Sequence, residues 1–159
     1  MFRKSFQPVV VLVVILMLTA CSKSESPSPP VAEAPSGPLK EFSQQIESST
    51  QLQKMKMGET VILPVKVVNT SKEAWPKDGV HLVYFWQDAS GNEKIGDCKG
   101  TGYPDQKIPS GAHFSTNLSI IAPEKPGKYT LTLTMVQENV AFFNKKGASP
   151  LEFSVAVSR

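Results

Sequence analysis

Lys128-Tyr129-Thr130-Leu131-Thr132-Leu133-Thr134-Met135-Val136-Gln137 decides the fold. Tyr129, Leu131, Leu133 and Met135 alternate with Lys128, Thr130, Thr132 and Thr134, a period of two that belongs to a strand and not to a helix. The first set should be buried and the threonine face wet. The same alternation recurs along the chain. Leu151 to Val157 offers Leu151, Phe153, Val155 and Val157 to one face. Ala112 to Ile121 turns Phe114, Leu118 and Ile120 inward and His113, Ser115, Asn117 and Ser119 outward. Thr60 to Val68 collects Val61, Leu63, Val65 and Val67, with Pro64 on the other face marking an edge or a bulge. Val80 to Gln87, Glu93 to Gly96 and Phe42 to Ile46 complete the set, although Leu39 to Lys56 can alternatively hold a short helix. Seven strands in about 115 residues, broken by turn residues and with no crossover helix, predict an all-β fold: a single antiparallel two-sheet sandwich over residues 39–159. Trp86, Tyr129, Leu131, Leu133 and Phe153 are expected to be buried together.

Upstream of this domain the composition changes. Ser22 to Pro38 is almost entirely Ser, Pro, Glu, Ala and Gly, and Pro27, Pro29, Pro30, Pro35 and Pro38 impose extended backbone. Such a segment cannot bury enough apolar surface to fold, so residues 21–38 are expected to act as a tether reaching up to roughly 50 Å. Before it, Arg3 and Lys4 precede the apolar run Val9 to Leu18, too short to span a bilayer comfortably, and the run ends in Leu18-Thr19-Ala20-Cys21. This pattern resembles the bacterial lipobox. The resemblance implies that residues 1–20 are a lipoprotein signal peptide and that Cys21 becomes the acylated first residue, holding the protein on a membrane of the cell envelope. Ser22 after the cysteine is compatible with the periplasmic face of the outer membrane. An ordinary signal peptide, or an uncleaved anchor with a chance cysteine, is the alternative.

Charge and cysteine count narrow the function classes. Lys and Arg number 17 against 14 Asp and Glu, and Arg3 and Lys4 would leave with the signal. No basic stripe remains to neutralise phosphates, so a nucleic-acid partner is not expected. There are two cysteines, Cys21 and Cys98. If Cys21 carries lipid, no internal disulfide can form, and Cys98 is either a small buried residue or an exposed thiol.

Several spaced elements agree with one family. Val67-Val68-Asn69-Thr70-Ser71, Trp75-Pro76, Leu82-Val83-Tyr84-Phe85-Trp86, Ala122-Pro123, Pro126-Gly127-Lys128-Tyr129, Val136-Gln137-Glu138 and Phe142-Phe143 occur in an order that is similar to the immunoglobulin-like domains appended to bacterial glycosyltransferases and other envelope polysaccharide proteins. The four-tryptophan immunoglobulin-like domain of autophagy receptors is a more distant likeness. The resemblance covers about Met57 to Val157 and implies an accessory module without catalytic residues. Phe142 stands where that family often has tryptophan, and no enzymatic domain is expected beside this one.

Two surfaces are candidates for binding. Strand Val80 to Gln87 is apolar on both faces. If Leu82, Tyr84 and Trp86 point into the core, Val83 and Phe85 form an outward ridge suited to a sugar ring or a protein partner, unless a loop or the N-terminal segment covers them. The second is the end of the sandwich at Gln137, Glu138 and Phe143, where amide, carboxylate and aromatic groups meet; there Phe142 and Phe143 can instead plug the core while Gln137 and Glu138 satisfy backbone groups. Met55, Met57, His81, His113 and Cys98 are possible copper ligands, but no spacing forces them together, and no metal or other cofactor is expected. Asp88, Ser90, Asn92 and Glu93 faintly resemble a calcium loop and are explained as well by hairpin chemistry. Both histidines alternate onto exposed faces, and no nucleophile elbow or carboxylate pair is present, so catalysis is not expected. The expected role is non-catalytic binding or assembly with an envelope protein or glycan. A periplasmic copper carrier, requiring Met55, Met57 and a histidine to converge, and a structural subunit acting by strand pairing are the alternatives.

Overall fold

The computed structural model describes residues 37–95 and 102–159. The expected signal peptide, Cys21, most of the tether and Cys98 lie outside the described residues. Glu33–Arg159 forms one compact unit with its own core.

Nine strands form among the described residues: β1 (Gln44–Glu47), β2 (Lys54–Lys56), β3 (Thr60–Asn69), β4 (Val80–Asp88), β5 (Glu93–Ile95), β6 (His113–Ile121), β7 (Gly127–Gln137), β8 (Ala141–Phe142) and β9 (Leu151–Ser158). They build two sheets, ordered β1-β3-β6 and β2-β9-β7-β4-β5, with β8 on the free stretch of β7. Leaving aside β2 and β8, the chain places its first, second and fifth long elements in one sheet and the others in the second. This is the strand distribution of an immunoglobulin-like sandwich. The seven expected strands all occur, with ends shifted by one or two residues. Only β2 and β8 are additional, and β2 runs parallel to β9, an exception to the antiparallel expectation.

The register explains the core. Leu82, Tyr84 and Trp86 lie opposite Met135, Leu133 and Leu131 across the β4–β7 ladder. Together with Leu63, Val65, Val67, Leu118 and Ile120 of the other sheet they belong to one cluster, and none is more than 4% exposed. Phe153 joins them, whereas Tyr129 is only half-buried.

The face of β7 expected to be wet is open only at its start: Lys128 is exposed and Thr130 half-buried, but Thr132 is 3% exposed and Thr134 fully buried. Alternation assigns a face but not whether solvent reaches it, and a central strand can be covered on both sides. The Thr132 hydroxyl donates to Glu152 Oε1. The Thr134 hydroxyl accepts the Gln44 amide at 3.1 Å and the Asn144 N–H at 3.2 Å. β9 pairs with β7 only as far as Leu133–Leu151, so the Met135 N–H has no ladder partner on that side. Gln44 fills the gap. Its side chain crosses from the first sheet, its Oε1 accepts the Met135 N–H at 2.8 Å and its Nε2 donates to the Ser149 carbonyl at 3.0 Å.

The N-terminal segment is fastened to the same end. Leu39 is buried, and its N–H donates to Gln137 Oε1 at 2.9 Å, while Gln137 Nε2 donates to the Gly37 carbonyl. Glu73 accepts the N–H groups of Lys40 and Glu41, and Glu41 accepts that of Lys72.

Candidate functional site

At the Gln137 end the candidates separate. Phe143 is fully buried, edge-on to Phe42 and to Trp75 with centroids 5.1 and 5.4 Å apart. Gln137 is buried and spends its amide on Gly37 and Leu39. These two belong to the plug, which removes them from a binding surface. Glu138 stays exposed and approaches a residue the alternation misplaced. His81, expected on an exposed face, is 8% exposed because the Tyr103 ring stacks on it at 4.2 Å. Glu138 Oε1 accepts the Tyr103 hydroxyl at 3.2 Å and lies 3.4 Å from His81 Nδ1. That second contact lacks hydrogen-bond geometry and becomes an ion pair only when His81 is protonated. Burial lowers the His81 pKa, and the Glu138 carboxylate partly opposes the shift.

Val83 and Phe85 take the face opposite Leu82, Tyr84 and Trp86, as alternation requires, but each is only 7% exposed. The open ridge is therefore absent, and the covered alternative is the one observed. A run apolar on both faces is the mark of a strand buried on both faces, and that signal outranks the threonines beside it.

The opposite end of β4 and β7 carries a cleft of about 450 Å³. Its walls are the β4–β5 turn and the segment joining β6 to β7. Tyr84, Trp86 and Tyr129 form its inner wall, Ile121 stands at the mouth with 45% exposure, and Asp88, Glu93, Lys94, Glu124 and Lys125 surround it. The aromatic polar tips hold the second wall in place. Trp86 Nε1 donates to the Ile121 carbonyl at 2.9 Å, the Ile121 N–H donates to the Tyr84 hydroxyl at 3.2 Å, and the Tyr129 hydroxyl donates to the Lys125 carbonyl at 3.0 Å. Trp86 and Tyr129 meet edge to face at 6.1 Å. In the first wall, Asp88 accepts the N–H groups of Ser90 and Asn92 and the Asn92 amide, with Gly91 at φ 83°. Hydrogen bonding, led by the Asn92 side chain, holds the Asp88 carboxyl below its ordinary pKa. Asp88 is thus the staple of a hairpin turn.

Sequence reasoning missed this cleft, yet its position follows from strand direction. The turn after β4 and the connection before β7 must lie at the same end once those strands are antiparallel neighbours. Of the copper candidates, Met55 is buried and Met57 is 39% exposed. Among the described residues no three His, Cys, Asp or Glu side chains cluster as metal ligands do.

No protein-family model and no curated protein matches the chain. Solved structures similar in shape include a β-glucosidase from Listeria innocua in complex with glucose, 12% identical with a TM-score of 0.46. That match covers 73% of this chain but 16% of the other. The CARDB domain of PF1109 from Pyrococcus furiosus is 16% identical with a TM-score of 0.43, the match covering 74% of this chain and 96% of that domain. The alkylpurine DNA glycosylase AlkC of Pseudomonas fluorescens bound to DNA with an abasic site analogue is 14% identical with a TM-score of 0.44, over 74% of this chain and 31% of its own.

Proposed function

We propose that this chain is a non-catalytic binding module of the bacterial cell envelope, anchored by lipid at Cys21 and carried on the Pro-rich tether. It takes an envelope protein or a glycan in the cleft between the β4–β5 turn and the β6–β7 connection. The observation that supports this reading is the cleft itself: an aromatic inner wall, the exposed Ile121 side chain and charges of both signs around it. Apolar surface with convergent polar groups is the usual composition of a ligand site. The outer membrane, facing the periplasm, is the proposed location.

A photoreactive residue at Lys94, on the cleft rim, should capture a discrete partner in cells. Ile121→Ser should reduce that capture about tenfold or more, as expected of an anchor side chain, without shifting the melting temperature. Undiminished capture in Ile121→Ser would place the working surface elsewhere. Cys21→Ser should abolish acyl labelling, and lipid-free maturation at another residue would remove the anchor.

A further inference from the structure

The cleft limits its own ligand through the polar groups that are already engaged. Trp86 Nε1 is held by the Ile121 carbonyl, the Tyr84 hydroxyl by the Ile121 N–H, and the Tyr129 hydroxyl by the Lys125 carbonyl. Tyr84 and Trp86 are 1% and 4% exposed, too little to present a ring face. Tyr129 is half-buried, with Gly127 so close that a β-carbon there would come within 3.2 Å of its ring. A sugar ring is held by an open aromatic face and by side-chain tips free to bond its hydroxyls, and this inner wall offers neither.

Two of the acids at the rim are engaged as well. Asp88 accepts three N–H groups of its own turn. Glu93 lies opposite Gln87 in the β4–β5 ladder, on the sheet face away from Trp86, and its carboxylate is 3.4 Å from Lys145 Nζ. Lys94 lies opposite Trp86 and so shares the face of the cleft, while Lys125 stands on the other wall. Both lysines are exposed, and among the described residues neither ammonium group has an ion pair or a side-chain hydrogen bond. Glu124 is the one lining carboxylate in the same state. The free polar groups are thus two cationic donors, one on each wall, against a single acceptor, around the exposed Ile121 side chain.

We propose that the cleft takes an extended acidic segment of a protein, with an apolar side chain set against Ile121 and flanking carboxylates on Lys94 and Lys125. This rests on the reading of the cleft as the binding site and names the class of its occupant, a protein and not a glycan. Carboxylates supply the acceptors that two free ammonium groups lack, in bonds stronger than those between neutral groups. Charges placed on both walls also fix the register of the segment and exclude partners of the wrong sign.

Glu33–Arg159 is titrated with a short capped peptide carrying a leucine between two aspartates, and followed by nuclear magnetic resonance. The Trp86 indole N–H and Ile121 methyl signals should shift saturably, with a Kd of about 1 mM or tighter, while Trp75, buried beside Phe143 at the other end, stays unmoved. The same peptide with lysines in place of the aspartates should bind about tenfold more weakly or worse, and chitotetraose should shift neither signal. Lys94→Glu combined with Lys125→Glu, both at exposed side chains, should melt like the parent and reverse the order of the two peptides. Equal responses to the two peptides, a response to chitotetraose alone, no response to any probe, or an unreversed order in the double variant each overturns the acidic class. If capture at Lys94 in cells is nonetheless lost in Ile121→Ser, the cleft stands as the binding site and only its occupant was wrong. Capture undiminished by Ile121→Ser removes the cleft reading, and this inference with it.

Discussion

Gln44→Ala tests the reasoning about the inter-sheet bridge most directly. The substitution removes an acceptor from the Met135 N–H and a donor from Thr134 Oγ1 and the Ser149 carbonyl, at 2.8, 3.1 and 3.0 Å. Met135 and Thr134 are fully buried, so water cannot readily replace the lost amide. Each neutral hydrogen bond contributes about 1 kcal/mol net, and an orphaned buried N–H costs about 1 to 3 kcal/mol. Thr134 retains the Asn144 N–H, which limits the damage on that side. The expected loss is about 3 kcal/mol, against a total of roughly 5 to 15 for a domain of this size. The variant should remain folded at room temperature and melt about 10 °C lower. Gln45→Ala is the control. Its side chain is exposed and reaches only Glu47, so about 0.5 kcal/mol or less is expected. Urea denaturation followed by tryptophan fluorescence measures both. Losses within 0.5 kcal/mol of each other would show that the bridge contributes nothing and that the register between the sheets is held by apolar packing alone.

Leu131→Ala should cost about 2 to 5 kcal/mol in the same denaturation assay. Thr132→Ala, one residue away but 3% exposed, should cost about 1 kcal/mol, where an exposed threonine would cost almost nothing. Gly102→Ala should cost about 3 kcal/mol, because the Gly102 carbonyl accepts the Leu82 N–H at 2.7 Å and an added β-carbon would collide with the Leu82 carbonyl. His81 has a lowered pKa in the fold, so between that value and its ordinary one the unfolded chain binds more protons. Its contribution is therefore present above about pH 6.5 and is lost as the pH falls towards the folded value. His81→Phe, which keeps the stack on Tyr103, should flatten the melting temperature between neutral and mildly acidic pH; an unchanged slope would mean that another group sets it.

What the sequence disclosed follows from range. The strands were legible because each advertises itself within its own ten residues, as β7 and β9 do by strict alternation. The faces of β4 were legible too, since Leu82, Tyr84 and Trp86 share a parity. Whether the opposite parity meets solvent depends on what other parts of the chain lay over it, and no local pattern carries that. This is why Thr132 reads as open yet is covered, and why the sequence leaves Val83 and Phe85 between an open ridge and a covered face. His81 failed for the same reason: the ring that buries it, Tyr103, comes from an irregular segment with no periodicity to read.

The polar groups were the least legible, and they have the most specific geometry. Gln44 reads as one of two glutamines in a short edge strand, and nothing nearby distinguishes it from Gln45. Its partners are 90 to 105 residues away in Thr134, Met135 and Ser149. Gln137 likewise holds Gly37 and Leu39 across nearly the whole domain. Both amides occupy places where a ladder stops short or a terminal segment needs a partner, so their position is dictated by where β9 ends and where the chain enters the fold. The cleft has the same origin. Its walls were visible as two ordinary turns, but the Tyr84, Trp86 and Tyr129 polar tips that fix one of them meet their partners only across the sandwich or across a turn. Apolar patterning selects the fold, whereas polar groups satisfied at long range select the unique way in which its ends are closed.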